Sequence, residues 1–298
     1  MEAEGVLMRR AALASLAVSL LLVALKLGAF LLTNSVAMLA SFADSAMDLF
    51  TSTLNLVAIR SALQPADREH RFGHGKAEPL AGMAQFAFIA GSAVFLVIQG
   101  VERLLAPEPV QNAPVALAVM AVGIAAAIAL IVYQRRVAAA TGSLAISADA
   151  THYVGDLATN IGVVVAIVLT KFVGWTHADP LIALLVAAML VWNAYGVFRA
   201  AYDQLMDREL PDADRDRIKA VVNAHPEVRA LHDLRTRASG LNTFIQLHIE
   251  LDPAMPLVRA HEISDEVERE LCAQFPHAEV IIHQDPAGIE STPSLAAT

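Results

Sequence analysis

A single cysteine, Cys272, stands in 298 residues. One thiol excludes an intramolecular disulfide and a thiolate-rich metal site; in its amphipathic stretch it reads as a small buried hydrophobe. Charge is scarce as well. Asp, Glu, Lys and Arg make up 17% of the chain against 56% hydrophobic residues, which excludes an ordinary soluble protein and suits a polytopic membrane protein. A basic excess is also missing, since the net charge is −9. Residues 1–206 hold 12 basic and 13 acidic residues, whereas residues 207–298 hold 9 and 17. A nearly neutral membrane part is therefore followed by an acidic, water-soluble part, which argues against nucleic acid as a partner and suits attraction of cations. Repeated Glu-x-x-His motifs are absent, which sets aside a di-metal oxidase bundle. An enzyme is not expected.

What the chain does have is long apolar runs. Six are long enough to cross about 30 Å of hydrocarbon: Met8–Leu32, Val36–Leu63, Ala77–Leu105, Ala113–Tyr133, Gly142–Val173 and Pro180–Tyr202. The first lacks a convincing small-residue cleavage site and reads as a retained helix. Nine Lys and Arg residues flank the runs on one side against Arg103 and Lys171 on the other, which places both termini in the cytoplasm. After Asp207 the periods change to helix, strand, strand, helix, strand, with Ser239-Gly240 as a turn signal. The expected fold is an all-α six-helix transmembrane domain (1–206) followed by a C-terminal α/β cytoplasmic domain (207–286). Residues 287–298 read as a disordered tail.

Two of the apolar runs carry groups that lipid disfavours. Asp44 and Asp48 lie in the second, and His152 and Asp156 in the fifth. Each pair is spaced i, i+4 and shares one helix face. An ionisable group at the bilayer centre costs roughly 3 kcal/mol or more, so such residues are functional candidates by default. By helical rise the first pair sits about 12–18 Å in from the outer end, and the second about 15–21 Å in from the inner end. The depths overlap near the midplane, so the four side chains can converge. Three carboxylates there repel one another and take up protons unless a divalent cation is bound. Metal and protons then compete for one site, the minimum needed for exchange. One imidazole and three carboxylates suit tetrahedral zinc, with iron(II), cadmium, cobalt and manganese open. Asp149, one turn before His152, is placed nearer the cytoplasmic mouth. In the loop after the second run, Asp67, His70 and His74 have a spacing that gathers three ligands if the loop is part helical. His283 and Asp285, two apart on a strand, share a face, with Gln284 between them as a further contributor. His177, His225 and His277 have no partner spacing and read as surface residues.

At these residues the chain resembles the cation diffusion facilitator family, and within it the bacterial zinc- and iron-type exporters that form Y-shaped homodimers. The likeness covers about residues 8–286. It includes Ser41-Phe42-Ala43-Asp44-Ser45, His152-Tyr153-Val154-Gly155-Asp156 and Phe72-Gly73-His74-Gly75-Lys76-Ala77-Glu78. The resemblance implies export of a divalent metal from the cytoplasm, proton antiport, a homodimer in the bacterial inner membrane, and a ferredoxin-like, metallochaperone-like soluble domain. It implies a transport site at Asp44, Asp48, His152 and Asp156, and an accessory loop site at Asp67, His70 and His74. It also implies a binuclear cytoplasmic site at His232, His248, His261, His283 and Asp285, and a dimer-junction charge interlock of Lys76 with Asp207. Two rivals follow from the residues alone: a membrane-anchored metal sensor and a proton-coupled carrier of a small organic cation.

Overall fold

The computed structural model describes residues 2–33, 36–105, 113–169, 175 and 177–288. The tail from 289 onward lies outside the described residues. The chain divides into two compact units, one spanning Glu2–Tyr202 and one from Asp203 onward.

The first unit is helical: α1 Glu2–Thr33, α2 Val36–Ala62, α3 Ala77–Leu105, α4 Ala113–Thr141, α5 Leu144–Val168 and α6 Ala178–Leu205. Among the described residues four helical stretches are apolar and long enough to cross a membrane: Ala3–Leu32, Ala77–Glu102, Met120–Thr141 and Pro180–Leu205. Helices α2 and α5 are not among them. They carry the polar load, with Asp48, Thr51, Ser52 and Asn55 on one and Asp149, His152 and Asp156 on the other. They pack on α1, α3 and α4, so their polar faces look into protein. Among the exposed large hydrophobics are Leu20, Leu21 and Leu31 of α1, Val94 and Phe95 of α3, and Leu185 and Trp192 of α6, as a lipid-facing surface requires.

Helix α4 runs past Arg135 and Arg136 to Thr141, beyond the expected end at Tyr133. Leaving the hydrocarbon does not stop a helix, and Ala138–Ala140 favour its continuation. The stop is Gly142, whose φ of 68° is left-handed and costs glycine nothing. Helix α5 then starts with a double cap. Ser143 Oγ accepts the N–H of Ile146 at 3.3 Å. Glu78, buried at the start of α3, accepts from Ser143 Oγ at 3.0 Å and from the N–H of Leu144 at 2.9 Å. A carboxylate on a helix N-terminus satisfies orphan donors and opposes the macrodipole. Glu78 thereby fixes the entry of the helix that carries His152. Glu78→Ala should destabilise this unit by about 1–3 kcal/mol, and Glu78→Gln, which keeps an acceptor oxygen, by less. The thermal-unfolding midpoint of the detergent-solubilised chain measures both.

The second unit holds α7 Asp212–Ala224, β1 Ala230–Ser239, β2 Asn242–Leu251, α8 Leu257–Gln274 and β3 Ala278–Pro286. The sheet order is β1-β2-β3; β1 and β2 are antiparallel, and β3 is parallel to β2 across the α8 crossover. Alternation sets the layers. Ile245, Leu247, Ile249 and Leu251 of β2 are buried against Ile218 and Val222 of α7 and Ile263, Val267 and Leu271 of α8. Gln246, His248 and Glu250 therefore lie on the opposite sheet face. Cys272 packs at the edge of the same core.

His225 departs from the surface role expected of it. It is buried, and its Nε2 lies 3.0 Å from Glu266 Oε2 while its Nδ1 accepts the N–H of Glu227. The hydrogen bond from His225, then that from Arg259, holds the Glu266 carboxyl below its ordinary value of 4.5. A depressed carboxyl contributes stability above its unfolded value and loses it as pH falls through the folded one. Hydrogen-exchange protection of α7 and α8 should therefore fall on acidification below about 4.5, and Glu266→Gln should flatten that dependence.

Candidate metal sites

In the helical unit, α2 and α5 bring Asp48, His152 and Asp156 together. One ligand atom from each lies within 4.8 Å of the others. His152 Nε2 is 3.1 Å from Asp48 Oδ1 and 3.7 Å from Asp156 Oδ2. Asp48 and His152 are buried, and Asp156 is half-buried. The imidazole thus sits between two carboxylates, so a dication placed among them meets two negative charges and one neutral nitrogen. The Asp44 side chain lies outside the described residues. Gly155, between the two α5 ligands, lets α6 come close: a Cβ there would meet Leu190 Cδ2 at 2.4 Å.

Asp149 does not join this group. It is fully buried and receives hydrogen bonds from Gln134 Nε2 of α4 and, at 3.4 Å, from Gln85 Nε2 of α3. Next to it lies a hydroxyl cluster that spacing did not reveal. Tyr153 OH meets Ser19 Oγ at 2.6 Å and Ser52 Oγ at 3.2 Å, and Ser52 also meets Ser15 at 3.0 Å. These four buried residues tie α1 to α2 and α5 directly beside Asp48 and His152. The only sequence signal for them was serine recurring at i, i+4 in α1, a pattern common in membrane helices.

The loop between α2 and α3 brings Asp67, His70 and His74 together, again within 4.8 Å. It does so without a helical turn. Asp67 Oδ1 accepts the N–H groups of Glu69 at 2.9 Å and His70 at 2.6 Å, an Asx-type turn, and Gly73 at φ 77° reverses the chain. His70 Nδ1 lies 3.5 Å from Asp67 Oδ1, and His74 Nε2 3.4 Å from Oδ2. The His70 N–H, with that of Glu69 and the two histidines, holds Asp67 below the usual carboxylate range against a small burial penalty.

On the open face of the sheet, register builds the third group. His232 of β1 is paired with His248 of β2, and His248 with His283 of β3, so the three imidazoles form one row. Ring centroids are 5.1 Å apart for His232 and His248 and 4.6 Å for His248 and His283. Asp285 serves both sides. Its Oδ2 lies 2.8 Å from His248 Nδ1 and 3.1 Å from His232 Nε2, and its Oδ1 lies 3.3 Å from His283 Nε2. One carboxylate thus has histidines beside each of its two oxygens. Burial pushes the Asp285 carboxyl up, but the His248 hydrogen bond and the three histidine charges outweigh it and hold it low. His232, His248 and Asp285 have ligand atoms within 4.8 Å of one another.

Two expected contributors have other partners. His261 is on α8, 70% exposed, with its Nε2 3.6 Å from Asp265. Gln284 donates to Ser264 Oγ at 2.7 Å, because it alternates to the helix side of β3. Two further acids border the row. A bulge between His232 and Arg235 puts Asp233 at φ 48° with its Oδ2 3.8 Å from His248 Nε2, and Glu250 Oε1 is 3.5 Å from His232 Nδ1. A bulge breaks the period-2 pattern on which strand faces are assigned from sequence. Asp207, also at positive φ (54°), accepts from Arg237 at 3.3 Å.

A bundle of long apolar helices with clustered acids and an imidazole inside it, joined to an α/β domain with a histidine row, defines a membrane transporter of cations. The chain belongs to the cation efflux family: residues 12–206 match the cation efflux transmembrane domain, and residues 210–287 the cytoplasmic domain of cation efflux proteins. It is 47% identical over 279 residues to the cation-efflux pump FieF of Shewanella oneidensis, covering 94% of each chain. It is 43% identical over 288 residues to the cation-efflux pump FieF of Klebsiella pneumoniae, covering 97% of this chain and 96% of that one. Among solved structures, a putative zinc transporter, CzrB, in its zinc form is 32% identical over 29% of this chain and 99% of its own, with a TM-score of 0.27.

Proposed function

We propose that this cation efflux transporter exports a divalent metal, zinc before iron(II), cadmium, cobalt or manganese, from the cytoplasm of a bacterial cell in exchange for protons. The observation that carries this reading is the buried convergence of Asp48, His152 and Asp156 from two helices. Asp44, one turn before Asp48 on α2, completes the ligand set. Metal binds these groups from the cytoplasmic side, the bundle rocks, and protons from the far side displace it. Zinc is favoured because carboxylate oxygens and one imidazole nitrogen suit a d10 ion in a four-coordinate site.

The chain works as a homodimer in the inner membrane, with both termini cytoplasmic and Lys76 and Asp207 interlocking at the junction. Asp67, His70 and His74 form an accessory site. His232, His248, His283 and Asp285, with His261, hold two regulatory ions. The bridging position of Asp285 supports that count. Domain limits follow the proposal: transmembrane 1–206, cytoplasmic 207–286.

The test is zinc uptake into proteoliposomes under an imposed pH gradient. Uptake should rise with the gradient and collapse when a protonophore removes it. Zinc movement indifferent to the gradient would contradict exchange, and no zinc movement at all would favour a sensor.

A further inference from the structure

The buried acid that the metal cluster leaves unused is Asp149. It lies one helical turn before His152 on α5, and among the described residues no ion pair reaches it. Its surroundings are amides drawn from three other helices. Gln85 of α3 and Gln134 of α4 donate to its two oxygens. Asn55 of α2 faces the same carboxyl without completing a hydrogen bond, and Ser15 of α1 faces it too. All three amides are buried, and the carboxamide oxygens of Asn55, Gln85 and Gln134 have no hydrogen-bond partner among the described residues. Its titratable neighbours are His152 and Tyr153 on its own helix. Tyr153 OH is already engaged by Ser15, Ser19 and Ser52.

A neutral carboxamide donates from one edge and accepts from the other. With Asp149 ionised, the amide N–H groups point at it, as found. With Asp149 protonated, its O–H needs an acceptor, and an amide turned by 180° offers one of the unpartnered oxygens. The pocket therefore satisfies either state. Buried oxygens without a partner are rare in folded proteins, and a second protonation state gives these three a use. A dication at His152, about 5 Å along the helix axis, favours the ionised state through space.

We propose that Asp149 is a second proton-binding site, separate from the metal ligands, which releases its proton to water when a dication occupies the Asp48, His152 and Asp156 cluster and regains one when the ion leaves. This rests on the exchange reading above. Only the O–H bond breaks and re-forms.

The experiment counts protons released per zinc bound by the full-length chain in detergent, using a pH-indicator dye, for the parent and Asp149→Asn. Release from the other two clusters is common to both chains and cancels in the difference. Asp149→Asn should bind zinc with the parent's stoichiometry and release fewer protons, by up to one per zinc held at the Asp48, His152 and Asp156 cluster. Equal release overturns the inference. If Asp149→Asn fails to fold, Gln134→Leu decides: losing a donor to the ionised form should move zinc-linked release to higher pH, and an unmoved curve overturns the inference. A parent chain whose zinc flux ignores the pH gradient refutes the exchange reading itself. A parent that exchanges while Asp149→Asn releases the same protons refutes this inference alone.

Discussion

Replacing Asp48 with alanine should reduce zinc flux to the level of protein-free vesicles. Asp48 Oδ1 lies 3.1 Å from His152 Nε2, and it comes from the opposite helix. Without it, a zinc ion at His152 keeps Asp156 as its described carboxylate, and both of those ligands ride on α5. Of the proposed ligands only Asp44 then links the ion to α2, and a buried dication with too few charges around it is not retained. Disturbing a residue behind a metal ligand typically costs 10–100-fold in affinity, so losing a ligand should cost more than about 100-fold. Asp48→Asn keeps the shape and removes the charge; it should fail nearly as badly. Asp156→Ala should behave alike, with a smaller loss because that side chain is further from the imidazole and more exposed. Calorimetry at the helical site, run beside flux, separates lost binding from lost movement.

Asp285→Ala should have the second largest effect, and a different one. Asp285 presents one oxygen to His232 and His248 and the other to His283. Its removal should therefore eliminate both cytoplasmic ions together, where His232→Ala weakens only one. Flux should persist at a reduced rate in both variants, since neither touches α2 or α5. Abolished flux in a folded Asp285→Ala chain would make the soluble domain part of the transport step. Zinc titration with and without each substitution gives the stoichiometry directly.

Much of this was readable from residue spacing, for a physical reason. Helical and strand periods are rigid, so i, i+4 in α2 and α5 put each pair on one face, and alternation put His283 and Asp285 together. The six helices and the α-β-β-α-β order follow from the same periods. Features that depend on approach between distant segments were not readable. The amides around Asp149 come from α2, α3 and α4, and nothing in linear order pairs Gln85 with Gln134. Three histidines in register across β1, β2 and β3 need strand pairing, and Asp233 enters the row through a bulge. The loop ligands gather through an Asx turn, which their spacing does not specify. The Glu78 cap on α5 joins residues more than sixty positions apart, too far for a local motif to reveal.

The most direct test follows both ions at once. Proteoliposomes carrying a zinc dye and a pH dye should show zinc entering and protons leaving together in the parent chain, with both signals lost in Asp48→Ala and strongly reduced in Asp156→Ala. Zinc driven by the pH gradient at the parent's rate in either variant would contradict the account.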